Sequence, residues 1–210
     1  MEYELAFYNF DYKIIRKKLK KIGGKIIHKF VLYNVAYFYL SGKNNFSSGF
    51  VRVRNENGKI VLTTKILGKS TYPEEYETEV NTTYENIIKI LENSGLIKTI
   101  ESVKYREKWL VPETHEVVFD IWPGLPISLE IDCESEENLK KTCKKLELNI
   151  DEGFTGSQYY YLYGIKNDEM KNFPNLNFLN FKKYLKKNIK KNMNEFKKIN
   201  KEYYKQFLIM

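Results

Sequence analysis

An α+β fold, one antiparallel sheet or barrel with helices packed outside it, is predicted by three observations. Six segments alternate charged with apolar residues at a period of two, the mark of strands whose faces differ. Short stretches with helical spacing and recognisable caps lie between them. The sign of the charge changes from segment to segment, so opposite charges are available to pair. The segments are Glu2-x-Glu4, Arg52-x-Arg54, the strand carrying Lys65, Glu75-x-Glu77-x-Glu79, Lys104-x-Arg106-x-Lys108 and Glu130-x-Asp132.

The elements follow in order. Glu2 to Tyr8 reads as a strand. Asn9 and Asp11 offer an N-cap for a helix whose Ile14, Ile15, Leu19 and Ile22 share a face, and Gly23-Gly24 stops it. Lys25–Phe30 and Val31–Leu40 are β-prone through Ile, Val, Phe and Tyr. Phe50–Asn55 and Lys59–Leu67 form a hairpin around Glu56-Asn57-Gly58, and Glu74–Val80 is an acidic strand. Thr82 with Glu85 fits a capping box for a helix with the apolar stripe Ile87, Ile88, Leu91, ended by Gly95. Ile97–Val111, Glu116–Ile121 and Ile127–Cys133 are strands, joined at Pro112 and at Trp122-Pro123-Gly124. Ser135 starts a third helix with Leu139, Cys143 and Leu146 buried, and Asp151–Gly164 reads as a loop entering a short helix.

Composition bounds the function. A 210-residue chain with 42% hydrophobic and 30% charged residues is globular, large enough for one core with an appendage. No apolar run approaches a membrane span, and the acidic start Met1-Glu2-Tyr3-Glu4 does not resemble a signal peptide, so a cytoplasmic protein is expected. Cys133 and Cys143 read as free thiols, and His28 and His115 with two cysteines suggest no zinc site. The net charge of +8 is concentrated in residues 168–210, where eleven lysines face four acids. The expected organisation is therefore a main domain over 1–167 and a basic helical extension over 168–210. In the extension Phe178, Phe181, Leu185, Ile189, Met193, Phe196, Ile199 and Tyr203 recur at helical spacing. Lys182, Lys183, Lys186, Lys187, Lys190 and Lys191 form either a solvated face or a contact for RNA or an acidic partner.

The charged strands admit two readings. Each acidic or basic pair alone could be a solvent-facing strip. Taken together, outward charge would leave one buried face, yet Tyr3, Trp109, Phe119 and Ile121 make the alternate face apolar enough to sit under helices. Charges turned inward are tolerable where opposite signs pair or a ligand neutralises them. Glu2, Glu4, Glu130, Asp132 and Asp120 are hard oxygen donors of the kind Mg²⁺ or Mn²⁺ takes. Arg52, Arg54, Lys65 and Arg106 could line a groove for an extended polyanion.

These motifs in this order resemble the CYTH superfamily, the triphosphate tunnel metalloenzymes. Glu2-Tyr3-Glu4 resembles the ExExK signature, followed by Arg52-x-Arg54, Lys65, the Glu75–Glu79 strand, Lys104-x-Arg106, Asp120 and Glu130-x-Asp132. The resemblance implies a closed eight-stranded antiparallel β-barrel, or tunnel, holding a triphosphate and a divalent metal. It implies metal binding by Glu2, Glu4, Asp120, Glu130 and Asp132, and phosphate binding by Arg52, Arg54, Lys65, Lys104 and Arg106. Glu77 and Glu79 match acidic tunnel residues, and Glu2, Glu4, Arg52 and Lys65 match the catalytic set. Ala6 stands where the signature has lysine. The function expected is metal-dependent hydrolysis of inorganic, nucleoside or thiamine triphosphate. Alternatives are a class IV-type adenylyl cyclase, an RNA 5′-triphosphatase whose substrate is met by the lysine-rich tail, and, because of Ala6, a non-catalytic polyphosphate- or nucleotide-binding module.

Overall fold

A computed structural model describes residues 3–68 and 73–207. The strands are β1 (Tyr3–Phe7), β2 (Lys25–Tyr39), β3 (Gly49–Glu56), β4 (Lys59–Ile66), β5 (Glu74–Glu79), β6 (Lys98–Leu110), β7 (Glu116–Ile121), β8 (Ser128–Cys133) and a short β9 (Asn175–Leu176). The α-helices are α1 (Tyr12–Lys21), α2 (Tyr84–Asn93), α3 (Glu136–Leu146), α4 (Gln158–Tyr163), α5 (Asn167–Met170), α6 (Phe181–Asn188) and α7 (Met193–Phe207). The predicted α+β class is observed. Eight strands follow the order β1-β8-β7-β6-β2-β3-β4-β5, and β9 pairs with β6 off this path. Every registered pair among the eight is antiparallel, whereas β9 runs parallel to Glu101 and Ser102.

Local chemistry explains most boundaries. The Asp11 carboxylate caps α1 by accepting from the Ile14 amide at 2.9 Å. The two β-prone segments after Gly24 are one strand of 15 residues, because no Gly or Pro interrupts them at Phe30-Val31. Asn57 and Gly58 both have positive φ, 57° and 97°, as a two-residue hairpin turn with native twist demands. The cap of α2 differs from expectation: Thr83, not Thr82, accepts from the backbone of Asn86, at 3.2 Å. Thr82 instead accepts from the Asn86 side chain at 2.9 Å, so the two threonines hold the donors of one residue.

The chain forms two compact units, with the long strands β2 and β6 each contributing to both. The first comprises residues up to Val31, Tyr105–Ile121 and Ile127–Gly156. There the period of two sorts the residues of β1, β7 and β8. Leu5, Phe7, Val117, Phe119, Leu129 and Ile131 lie on one face, and α3 packs on β1 and β8 through the buried Leu139, Cys143 and Leu146. The helix-facing side also buries a charge. Glu107 is 1% exposed and accepts from Tyr12 at 3.1 Å and Trp109 Nε1 at 2.8 Å, with Arg16 Nε at 3.0 Å. A buried carboxylate is tolerated because donors and a cation meet both oxygens.

The second unit comprises Leu32–Lys104, Trp122–Pro126 and the chain from Ser157. Tyr84, Ile87 and Ile88 of α2 pack on Ala36, Phe38, Val51, Val53 and Ile60. The C-terminal helices build a separate cluster in which Phe173, Phe181, Leu185, Phe196 and Ile199 surround Leu125 and Tyr163. Tyr159 and Tyr163 donate to the carbonyls of Pro123 and Gly124 at 2.8 and 2.6 Å. Gly124, at φ 79°, is required there, since an added Cβ would lie 2.3 Å from Leu185 and 2.9 Å from Phe181. The tail is thus part of a hydrophobic core, while Lys182, Lys183, Lys186 and Lys187 form no ion pair among the described residues.

Candidate functional site

Strand pairing places the predicted site residues in two charged faces, one in each unit. In the first unit directly opposed residues share a face, so Glu4, Asp132 and Glu116 make one row across β1, β8 and β7. The next row is Ala6, Glu130, Val118 and Lys108, and the third places Asp120 between Arg106 and Ser128. Arg106 is the hub. It donates through Nε and Nη2 to the two oxygens of Asp120, both at 2.7 Å, and reaches Glu116 at 3.0 Å and Glu130 at 3.2 Å. Lys108 pairs with the other oxygen of Glu116.

Arg106 and Asp120 are buried at 4% and 1% exposure. Burial alone would lower the guanidinium pKa, but the Asp120, Glu116 and Glu130 carboxylates outweigh it and hold the pKa well above its ordinary value. Asp120 therefore fixes Arg106 in this structure, and Arg106 in turn neutralises part of an acidic face. The alternate positions of these strands point into the apolar core, which is why a sequence period of two sufficed to find the face.

The second face lies on β3, β4 and β5. Arg52 faces Thr63, which faces Glu77, and Lys65 faces Glu75. The Glu75 carboxylate is shared: Oε1 accepts from Arg52 Nη2 and Oε2 from Lys65 Nζ, each at 2.8 Å. Glu77 Oε2 accepts from Arg54 Nη2 at 2.7 Å and from Thr63 Oγ1 at 2.9 Å. Arg54 Nε also lies 2.7 Å from Glu56. Glu79 stands apart at the exposed end, paired with Lys59 at 2.9 Å. Lys104 is buried in the same unit with its ammonium 5.0 Å from the Trp122 ring centroid, a cation–π distance.

Of the predicted residues, Glu4, Asp120, Glu130, Asp132 and Arg106 thus lie on one face and Arg52, Arg54, Lys65, Glu77 and Glu79 on the other. Glu2 lies outside the described residues. Sequence reasoning singled out neither Glu116 nor Glu107, and named Glu75 only as part of the acidic strand. Glu116 is two and four residues before Val118 and Asp120, so the same period would have found it. Glu75 belongs to the acidic run of β5, but its sharing by two cations depends on the β4–β5 register. Glu107 sits on the apolar side, where nothing local marks it.

Among the described residues no three His, Cys, Asp or Glu side chains group as a metal site. Mg²⁺ requires fewer, one or two carboxylates with water and phosphate oxygens completing six. Glu4 and Asp132 are such a pair: hard oxygen donors directly opposite on one ladder, where like charges repel and a cation relieves the repulsion. The donor set fits.

Antiparallel strands with ionic side chains on one face and helices on the other define the class, and the chain belongs to the CYTH family. The CYTH domain model matches residues 1–156. Solved structures agree in fold. A conserved hypothetical protein of Pyrococcus furiosus is 17% identical with a TM-score of 0.60, over 75% of this chain and 98% of that one. The PH1012 protein of Pyrococcus horikoshii OT3 is 21% identical with a TM-score of 0.59, over 73% and 94%. A candidate adenylate cyclase of Vibrio parahaemolyticus is 16% identical with a TM-score of 0.61, over 75% and 94%. The eight-stranded α+β fold is consistent with the tunnel fold expected of the family. No curated protein matches the chain. No described helix is long and apolar enough to cross a membrane.

Proposed function

We propose that the protein is a divalent-metal-dependent triphosphatase acting on a small triphosphate compound, inorganic, nucleoside or thiamine triphosphate, in the cytoplasm. The observation that carries this reading is the clustering of Arg52, Arg54 and Lys65 on one face of adjacent strands in a CYTH chain. Planar guanidinium forks and a lysine point charge suit the oxygens of a phosphate chain. Glu4 and Asp132, with Glu130 beside them, would hold Mg²⁺ or Mn²⁺. When bound, the cation supplies charge neutralisation at phosphate oxygens and a lowered pKa for an ordered water.

The chain's own groups do the rest. Arg52, Arg54 and Lys65 hold and orient the phosphates, and a carboxylate accepts the proton of the attacking water. Water oxygen bonds to the terminal phosphorus as the bridging P–O bond breaks, releasing orthophosphate and a diphosphate. Positioning and electrostatics supply most of the rate in such transfers.

The test is a substrate panel of inorganic triphosphate, ATP, thiamine triphosphate and 5′-triphosphorylated RNA, run with Mg²⁺, Mn²⁺ and chelator. RNA is included because the exposed lysines of α6 suit a polyanion. Orthophosphate is the expected product, and cyclic nucleotide with pyrophosphate would instead make it a cyclase. Arg52→Ala should cut turnover at least 100-fold (about 3 kcal/mol of lost transition-state stabilisation) without unfolding the chain. Wild-type turnover in that variant would remove the assignment.

A second reading has its own observation. Ala6 is buried, opposite Glu130 on β8 and hydrogen-bonded through its backbone to Phe154, so no cation rises from the signature's third position. A binding module that holds triphosphate without cleaving it would follow. Tight binding with no turnover under any divalent metal would select it.

A further inference from the structure

We infer that Glu75 is a built-in anion that occupies the phosphate-binding cations and sets how tightly this chain holds a polyphosphate. The inference deepens the triphosphate reading and rests on it. The Glu75 carboxylate bridges Arg52 and Lys65, one oxygen to each at 2.8 Å, and its side chain is 5% exposed. A phosphate group would engage the same two donors through two of its oxygens. The arrangement is therefore already filled by an internal carboxylate of similar shape and lower charge.

Three features separate Glu75 from an ordinary surface partner. Arg52 and Lys65 are 16% and 12% exposed, so the pairs are little screened by water. Glu75 takes one donor from each of two strands, β3 and β4, where the exposed pair of Glu79 with Lys59 involves a single cation. Its strand, β5, ends the strand order of the sheet and, among the described residues, has its ladder partner in β4. An end strand can shift its side chains without breaking a second ladder.

Two consequences follow. Binding requires Glu75 to release the cations, so the measured dissociation constant is raised by the inverse of the fraction of molecules in which it has done so. Selectivity follows as well. A polyphosphate with several charges can displace one carboxylate, whereas orthophosphate or sulfate brings at most about one charge more than Glu75 itself. The acid thus favours the longer anion.

The experiment is calorimetric titration of the full chain with inorganic triphosphate in chelator, for wild type and Glu75→Gln. Glutamine keeps the size and removes the charge. Binding is expected to tighten about tenfold, as for a releasing state populated at about a tenth, and the preference for triphosphate over sulfate is expected to shrink. Glu137→Gln on α3 makes the same change in net charge and serves as the control. If Glu75 merely orients Arg52 and Lys65, Glu75→Gln weakens binding or leaves it unchanged while wild type still binds; that overturns the inference and leaves the triphosphate reading standing. If neither protein nor Glu75→Asp binds triphosphate, both fall. Glu75→Asp, too short to bridge both cations, gives the same direction of change should the glutamine variant fail to fold.

Discussion

Arg106 shows how much one residue organises. Its guanidinium satisfies both oxygens of Asp120 and touches Glu116 and Glu130, so it joins β6, β7 and β8 through charge as well as backbone. Arg106→Met would leave the buried Asp120 carboxylate without that guanidinium, and stability should fall by about 3–5 kcal/mol. Urea unfolding measures it, and an R106M/D120L pair should recover much of the loss. A loss below 1 kcal/mol would show the pair to be as weak as a surface one. The thiols give a second test. Burial pushes Cys133 up to about 12 and Cys143 up to about 11, from 9.0. Each raised pKa means the unfolded state gives up its proton first as pH rises. Their contribution is complete below pH 9 and declines from there to pH 12, which unfolding at stepped alkaline pH would follow. Thiol reagents at pH 8 should label neither cysteine until the chain is unfolded.

At the scale of elements, caps and close approaches carry the argument. Thr83→Ala removes the acceptor of the Asn86 amide at the start of α2 and should cost about 1 kcal/mol, whereas Thr82→Ala, which loses only a side-chain contact, should cost less than half of that. Thermal unfolding of the two variants separates them; equal losses would restore the cap to Thr82. Capping motifs are legible one residue out because Thr82 and Thr83 are adjacent and chemically alike, and only backbone geometry chooses between them. The strand alternation was legible without that ambiguity. In β7 and β8 a shift of one residue would turn Asp120 or Glu130 into the apolar core, so burial allows one register. Glu107 was illegible for the opposite reason. It breaks the alternation on the buried side, and its partner Arg16 comes from a helix far away in sequence.

For the whole molecule, the C-terminal segment buries the apolar stripe that its helical spacing predicts. Phe173, Phe181, Leu185, Phe196 and Ile199 are buried in a cluster with Leu125 and Tyr163, while the lysines of α6 stay exposed. A chain ended after Ile165 should lose cooperative unfolding in the second unit and aggregate, because buried Leu125 and Tyr163 would face water. Calorimetry with light scattering reads this, and a soluble fragment with an unchanged Tm would show the tail to be dispensable.

By itself the sequence determined the period of the strands, the turn at Asn57-Gly58, the α+β class and the set of residue types from which acidic and basic faces are made. These depend on neighbours a few positions apart, which chain geometry relates directly. Only the tertiary structure decided who pairs with whom: Arg106 with Asp120, Glu75 with Arg52 and Lys65, the tail helices with Gly124. Those contacts join strands and helices from ten to about sixty residues apart, and coulombic pairing is selective only once ladder registers bring specific charges within hydrogen-bonding distance.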